Sequence, residues 1–160
     1  MIKLYHGSNV TIHNIDLSLS KVGKDFGVGF YLSQDYRQAA KQADNTTFRL
    51  NSGQPTVTTF LFDEQTLTNG TLNVKTFTEY SREWAEFVFL NRSNRTRIQA
   101  HTYDIVYGPI ADDTVGVQMR RLTEKYITID QFVNELKYIK GITFQYFFAT
   151  PQAIQTLSPI

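Results

Sequence analysis

The chain begins with a period-two alternation of side chains that predicts a β-strand. Over residues 2–6, Ile2, Leu4 and His6 share one face, while Lys3 and Tyr5 share the other. Runs rich in β-branched and aromatic residues, bounded by Gly, Pro or Asn, extend the same prediction along the chain. The predicted strands are residues 2–6, 28–32, 56–62, 72–74, 103–107 and 142–148.

Helices are predicted where apolar residues recur at intervals of three and four. Tyr36, Ala39, Ala40 and Ala43 form such a stripe after Ser33, which is placed to cap the helix. The other predicted helices begin at Thr78, at Asp112–Asp113, at Thr128 with a capping box to Gln131, and at Pro151. The polar stretches 9–27 and 45–54 are predicted to be connections without regular structure.

The order of these elements indicates the fold class. Strands and helices are interspersed without strict alternation of strand, helix and parallel strand, which favours an α+β fold over a doubly wound sheet. No internal repeat, low-complexity tract or linker divides the chain, so residues 1–160 are expected to form a single domain. A chain of 160 residues can bury a stabilising core without disulfides or metals.

Composition excludes several classes of function. The chain has no cysteine, which excludes a disulfide scaffold, a thiolate metal site and a cysteine nucleophile. His6, His13 and His101 lack metal-ligand spacing, so no metal is expected. A formal net charge of +1 does not indicate general binding to nucleic acid or to an acidic membrane. No segment is apolar enough for a signal peptide or a membrane span, so cytoplasmic residence is the default expectation, with delivery as an effector left open.

Two N-terminal motifs hold polar residues that could perform chemistry. The first strand ends in YHGS, residues 5–8, and the second contains the glycine-rich run DFGVGFYL, residues 25–32. As neighbouring strands, these two runs would present His6 and Tyr31 to one cleft. Strand parity supports this, because it places Tyr31 with Gly29 on the face opposite the apolar residues of its strand. Each residue also has a purely structural interpretation. His6 would be a hydrogen-bonded residue at a strand end, and Tyr31 would be part of the core.

The motifs carry a family resemblance when their order along the chain is considered. The segments YHGS, DFGVGFY, EFVFLNR, YDIVYGPIADD and QYFF resemble the ADP-ribosyltransferase superfamily, on its diphtheria-toxin and poly(ADP-ribose)-polymerase side. More narrowly, the chain resembles an uncharacterised bacterial family of that clan, DUF3990. The resemblance implies an ADP-ribosyltransferase-like fold, in which two small packed β-sheets with flanking helices surround a cleft that binds NAD.

The resemblance also implies roles for the motif residues. His6 would hydrogen-bond a ribose hydroxyl of NAD, and Gly7 would offer its backbone N–H and C=O to the nicotinamide carboxamide. Ser8 would contribute locally to the same site. Tyr31 would stack on the nicotinamide ring, and Gly29 would leave space beside that tyrosine.

The late strand departs from the superfamily pattern. Active members commonly carry a Glu there, whose carboxylate binds the 2′-hydroxyl of the nicotinamide ribose and stabilises the positive charge that develops on cleavage. The matching residue in this chain is Gln145, which parity places on the face opposite Phe144 and Tyr146, and which we expect in the same cleft. Its amide can accept a hydrogen bond but carries no charge, so the simplest expectation is that Gln145→Glu would raise the rate.

Other carboxylates could supply the missing charge. Asp25, in the loop before the second strand, and Asp113, after the strand 103–107, are the two candidates. Asp25 also has a structural reading as a turn residue, and Asp112 and Asp113 have one as helix caps. The basic run over residues 92–97 is expected to be a solvated loop.

The leading hypothesis is a mono-ADP-ribosyltransferase-like protein that uses NAD as its substrate and transfers ADP-ribose to an unidentified macromolecule. The resemblance implies a bacterial toxin or conflict protein that a small partner protein would neutralise. The alternative is a catalytically weak module that binds NAD, ADP-ribose or another protein on the same scaffold, and Gln145 favours it. NAD hydrolysis without transfer is a third reading.

Overall fold

The computed structural model describes residues 1–160 and shows an α+β fold with two small β-sheets and five α-helices, which confirms the predicted class. The strands are β1 (Ile2–Ser8), β2 (Phe30–Leu32), β3 (Thr56–Phe62), β4 (Val74–Thr76), β5 (Ile105–Pro109), β6 (Phe144–Phe148) and β7 (Leu157–Pro159). The helices are α1 (Tyr36–Leu50), α2 (Arg82–Ser93), α3 (Asp113–Thr123), α4 (Ile129–Leu136) and α5 (Pro151–Ile154). None of them combines the length and the apolar character needed to cross a bilayer.

A single backbone bridge connects the two sheets. The first sheet has the strand order β1-β3-β7 and the second has the order β2-β6-β5-β4. Within its sheet, β2 has β6 as its sole partner. At its other edge, β2 is followed by one isolated bridge between Ser33 and Tyr5 of β1. Beyond this bridge, β1 and β2 are not paired.

Two hydrophobic clusters give the fold its layers. The first lies between the sheets, where Leu4 and Phe60 of one sheet meet Ile105 and Phe148 of the other. The second lies on the opposite face of the four-stranded sheet, where residues such as Phe147 pack with α2, α3 and α4. Helix α1 covers the free face of β1 and β3. The order of layers is therefore helix, three-stranded sheet, four-stranded sheet and helices.

Helix α1 is longer than predicted and begins at a different cap. Asp35, and not Ser33, is the N-cap, because its carboxylate accepts from the backbone N–H of Arg37 at 2.9 Å. The helix continues to Leu50 through residues predicted to be a connection, since Thr46 is buried in the packing of α1 on the sheet. Packing against the sheet outweighs the weak helix propensity of this polar segment.

Other elements agree with prediction to within a few residues. The capping box at α4 is confirmed, because Thr128 Oγ1 accepts from the N–H of Gln131 at 3.2 Å and Gln131 Oε1 accepts from the N–H of Thr128 at 2.8 Å. Helix α2 begins after Ser81 instead of Thr78, and β4 and β5 lie two residues later than predicted. Strand β7 was not predicted, since its three residues are too few for a pattern.

Candidate functional site

A cleft of about 760 Å³ opens where β1 and β2 diverge. At the bridge, the N–H of Tyr5 donates to the C=O of Ser33 at 2.8 Å, and the return bond is 3.0 Å long. One step further along this antiparallel register, Gly7 and Tyr31 lie opposite each other and are not paired. His6, Gly7, Tyr31 and Gln145 all line the cleft. The structure therefore brings together the four residues that were expected to share one cleft.

Gly7 presents its backbone to this gap. Neighbouring residues of a strand direct their N–H and C=O groups to opposite edges, so the groups of Gly7 point the same way as those of Tyr5, towards β2. Packing against α1 leaves no room for a side chain at this position. A Cβ on Gly7 would lie 1.8 Å from the carbonyl oxygen of Ala39 and 2.7 Å from the backbone nitrogen of Ala43, both in α1. Packing of α1 therefore requires glycine at position 7, and the backbone of this residue lines the cleft.

The ring of His6 spans the gap between the two strands. Its Nδ1 lies 2.8 Å from the carbonyl oxygen of Tyr31, and its ring stacks on Phe30 with a centroid distance of 4.3 Å. A carbonyl can only accept, so Nδ1 carries the proton and Nε2 of the neutral ring is left as an acceptor. Burial lowers the pKa of His6, while the hydrogen bond to Tyr31 opposes this to a smaller extent. His6 is therefore a neutral hydrogen-bond acceptor at pH 7.

Tyr31 reaches the cleft from the other side of the β2 backbone. Its ring packs on Phe147 with a centroid distance of 4.9 Å, on the face that parity predicted. Its hydroxyl donates to the C=O of Gly27 at 2.8 Å and accepts from the N–H of Phe26 at 3.0 Å. Burial, assisted by the charge of Asp25, raises the pKa of this hydroxyl. The hydroxyl of Tyr31 therefore stays protonated and bound within the protein. Its ring packs with Phe26 and Phe147, on the face of β2 opposite the one where Phe30 stacks on His6.

Ser8 and Gly29 also line the cleft, but both are largely engaged by the protein. The hydroxyl of Ser8 lies 3.4 Å from the Oδ1 of Asn9. The space that Gly29 was expected to leave beside Tyr31 is filled by the protein, because a Cβ there would lie 2.3 Å from the ring of Phe147. The N–H and C=O of Gly29 both bind the hydroxyl of Ser20, at 2.9 and 2.8 Å. Gly29 therefore allows packing of the loop and does not open space for a ligand.

Gln145 does not stand alone in the cleft wall, because a carboxylate lies directly beside it. Its Nε2 donates to Oδ2 of Asp25 at 3.2 Å. The guanidinium Nε of Arg92 donates to Oδ1 of Asp25 at 2.7 Å, and the N–H of Ala111 donates to Oδ2 at 3.3 Å. The Asp25 side chain is only 13% exposed. Of the two candidate carboxylates, Asp25 is the one that the fold places at Gln145.

Arg92 was assigned to a solvated loop, and this prediction is wrong. It belongs to α2, and its side chain is half-buried against Asp25. The spacing contained a signal for this position, because Arg92 follows the buried Val88 by four residues and so continues the same face of the helix. A cation on the buried face of a helix indicates a buried anionic partner.

Asp113 lies outside the cleft. Asp112 caps α3, since its Oδ1 accepts from the N–H groups of Thr114 and Val115 at 3.0 and 3.1 Å, which confirms the capping reading for this residue. The side chain of Asp113 is 95% exposed and pairs with Lys41 at 3.1 Å. Its position at the start of α3 directs it to solvent, so the structure gives no support to a catalytic role for Asp113.

Three cations at the cleft were missed by sequence reasoning. Lys21, Lys24 and Arg49 line it, and none of them forms an ion pair. Burial lowers the pKa of Lys24; the charge of Asp25 opposes this effect, and those of Arg49 and Lys21 add to it. The three residues come from a loop and from the end of α1, so no periodic pattern connects them. Together they make this end of the cleft positive, which suits a phosphate-bearing ligand.

Long-range hydrogen bonds hold the loop that carries Lys21, Lys24 and Asp25. Arg97 donates to the carbonyl oxygens of Ser20 and Leu17 at 2.7 and 3.2 Å, and His101 Nε2 lies 2.7 Å from the carbonyl oxygen of Phe26. Arg97 is exposed in a loop, as expected, and its guanidinium also binds these two carbonyl groups. The segment after α2 fixes the loop from outside and shapes this wall of the cleft.

A protein-family model matches nearly the whole chain. The family described as "Protein of unknown function (DUF3990)" matches residues 2–158, a range that includes every residue of the cleft discussed above. No curated protein and no solved structure matches the chain. On the extent of the family match, the protein belongs to the DUF3990 family.

Proposed function

We propose that this protein binds NAD in the cleft between β1 and β2 and transfers the ADP-ribose of NAD to a macromolecule. This is the activity of the superfamily that its motifs resemble, with an ADP-ribosyltransferase-like arrangement of the two sheets. In this proposal the protein is a bacterial toxin or conflict protein, and a small partner protein neutralises it. The acceptor is a macromolecule whose class the cleft does not specify.

One observation carries the proposal, namely that the groups needed for the nicotinamide half of NAD meet in one gap. The N–H and C=O of Gly7 are a donor and an acceptor side by side, which complements a carboxamide. The free Nε2 of neutral His6 can accept from a ribose hydroxyl, and the ring of Tyr31 offers a surface for stacking. Gln145 adds an amide to the same wall.

The rest of the cleft is consistent with binding of the ADP half of NAD. A volume of about 760 Å³ lies within the range of about 300–1,000 Å³ that is usual for small-molecule sites. The unpaired charges of Lys21, Lys24 and Arg49 suit the diphosphate of NAD, since cations without carboxylate partners are available to phosphate oxygens.

The reaction breaks the bond between C1′ of the ribose and the nicotinamide nitrogen. The bonding electrons leave with nicotinamide, positive charge develops on the ribose, and an acceptor lone pair then forms the new bond to C1′ and loses its proton. Hydrolysis differs only in that water is the acceptor. Oε1 of Gln145 would accept a hydrogen bond from the 2′-hydroxyl and so bring a partial negative charge to the developing cation.

The second candidate is a binding module with little turnover, and the amide at position 145 favours it. The nearest full negative charge belongs to Asp25, whose oxygens already accept from three donors. Loss of one preorganised electrostatic group typically costs a factor of about 10²–10³ in rate. Binding of NAD without measurable nicotinamide release would identify this case.

Binding is tested first by thermal unfolding with and without NAD. A ligand at about 100 times its Kd adds about 2.7 kcal/mol to the unfolding free energy, or roughly 5–10 °C for a chain of this length. Tyr31→Ala should abolish the shift, whereas Tyr31→Phe, which keeps the ring, and Tyr138→Ala, at an exposed tyrosine, should retain it. An undiminished shift in Tyr31→Ala, or no shift of the parent at millimolar NAD, would contradict the assignment.

Turnover is tested with labelled NAD and a cell lysate. Transfer predicts label on protein or nucleic acid together with free nicotinamide, and hydrolysis predicts free nicotinamide alone. NAD binding with neither product assigns the protein to the second candidate.

A further inference from the structure

The side-chain amide of Gln145 has a defined orientation. An ionised carboxylate can only accept hydrogen bonds, so the group of Gln145 that lies 3.2 Å from Asp25 Oδ2 must be its Nε2. The oxygen Oε1 is therefore directed away from Asp25. It accepts no hydrogen bond from the protein, and Gln145 lies in the wall of the cleft.

Asp25 is itself held firmly enough to set this orientation. Its two oxygens accept from the Arg92 guanidinium, the Ala111 N–H and the Gln145 amide, which belong to three separate segments of the chain. Hydrogen bonds that involve ionised partners are shorter and stronger than neutral ones, and the 2.7 Å contact with Arg92 is of this kind. The loop that carries Asp25 is also tied down by Arg97.

We infer that Asp25 is a positioning residue that makes Gln145 competent for catalysis, an inference that rests on the proposed function. Asp25 directs Oε1 towards the position of the ribose 2′-hydroxyl. By accepting from Nε2, it also draws electron density through the amide onto Oε1, because hydrogen bonds in a chain polarise one another. The Asp25–Gln145 pair then takes the place of a single carboxylate, with the full charge one side chain further from the substrate.

Arg92 determines whether Asp25 acts on the substrate through its own charge or through the orientation of Gln145. Its guanidinium cancels most of the field of Asp25 at a distance, so the pair acts on the substrate chiefly through the direction and polarisation of the Gln145 amide. With Asp25→Asn, the new amide would keep its oxygen on Arg92, since an NH₂ group facing a guanidinium is the costlier arrangement. Its NH₂ group would then take the place of Oδ2, so the N–H of Ala111 would lose its acceptor, and Gln145 would turn its own oxygen inwards and present Nε2 to the cleft.

The experiment compares Asp25→Asn, Gln145→Glu and the double variant, with Asp44→Asn as the control. Asp44 is an exposed aspartate of α1 that makes no hydrogen bond through its side chain, so its change removes the same charge away from the cleft. We expect Asp25→Asn to lower the rate of nicotinamide release about 10- to 100-fold and to change the NAD Kd less than about threefold, since binding groups elsewhere are intact. In the double variant, the amide introduced at position 25 can donate to the carboxylate introduced at position 145, so the rate should recover to at least that of the parent.

The orientation is also measured without turnover, from the side-chain amide signals of Gln145 in ¹H–¹⁵N NMR spectra. Loss of the carboxylate should shift these signals in Asp25→Asn and leave them unchanged in Asp44→Asn. Unchanged Gln145 signals in folded Asp25→Asn would overturn the inference, as would a rate equal to that of the parent or a double variant no faster than either single change. If Asp25→Asn does not fold, the comparison of Gln145→Glu with the double variant decides the question.

A parent protein that neither binds NAD nor releases nicotinamide would overturn the proposed function and the catalytic role of Asp25. The NMR comparison would still test the orientation of Gln145, so the two failures are distinguishable.

Discussion

Replacement of Gln145 by Glu tests the geometry of the cleft wall without any ligand. The superfamily resemblance suggests that this change restores a missing charge and raises the rate. The structure predicts that the same change lowers stability, because the new carboxylate would lie about where Nε2 now donates to Asp25, 3.2 Å away. A hydrogen bond would be lost and two anions would face each other.

The size of the effect follows from that distance. Two unit charges 3.2 Å apart repel by about 5 kcal/mol at an effective dielectric constant of about 20. Arg92 offsets part of this, and the new carboxylate can protonate instead, so we expect a loss of about 2–4 kcal/mol at pH 8. For a chain of this length, the midpoint of thermal unfolding should fall by roughly 5–15 °C.

The pH dependence has a definite sign. In folded Gln145→Glu, repulsion raises the pKa of the introduced carboxyl above its unfolded value of about 4.3. The folded state then binds more protons than the unfolded state between these two values, so the stability of the variant falls as pH rises through that window. Relative to the parent, Gln145→Glu should be nearly unimpaired at pH 4.5 and most impaired at pH 8.

The assay is thermal and urea unfolding of parent and variants from pH 4.5 to pH 8. Gln152→Glu makes the same chemical change at an exposed position of α5 and should follow the parent at every pH. Adding Asp25→Asn to Gln145→Glu should remove the pH-dependent loss. Equal stability of parent and Gln145→Glu at pH 8 would refute the contact between Gln145 and Asp25.

Three further predictions concern the walls of the cleft. Gly7→Ala should lower the unfolding free energy by about 1–3 kcal/mol or more, measured by urea denaturation, because its Cβ would lie 1.8 Å from a carbonyl oxygen of α1; an unchanged midpoint would contradict this packing. Arg92→Ala should cost about 3–5 kcal/mol near pH 7, since it leaves the buried Asp25 carboxylate without its cation; a loss below about 1 kcal/mol would mean that the pair is solvated. Burial lowers the pKa of His6 and of His101, and their backbone hydrogen bonds oppose this to a smaller extent. The unfolded state therefore binds more protons than the folded state just below about pH 6.5, and stability should fall as pH drops through that region. His101→Gln should show a weaker fall than the parent in the same titration, and an identical curve would count against a neutral, buried His101.

Regular periodicity made much of the fold predictable. Alternation in β1 and the capping box of α4 depend on neighbouring residues alone, so the local sequence is sufficient to identify them. The second half of α1 was missed because its polar residues have weak helix propensity, and only the sheet beneath Thr46 stabilises them as helix. That sheet is assembled from strands distant in sequence, which a local pattern cannot report.

The candidate site was also predictable only in part. His6, Gly7, Tyr31 and Gln145 lie on strands, and strand parity with motif order was enough to place them in one cleft. The contact of Asp25 with Gln145 spans 120 positions and depends on a loop without regular structure. Arg92 could have been recognised from its helical face, whereas its partner could not, because loop conformation has no periodicity.

The strand order of the larger sheet has a consequence for when the cleft forms during synthesis. β2 carries Tyr31, and its sole partner in the sheet is β6, which lies more than a hundred residues further along the chain. A nascent chain still attached to the ribosome before Phe148 has emerged has one wall of the cleft without support, because β2 has no neighbour to pair with. Pairing across so long a separation is also slow, since a large loop must close before any contact forms. The cleft is therefore completed only after β6 has left the ribosome, so a chain that stops short of Phe148 lacks the support of this wall.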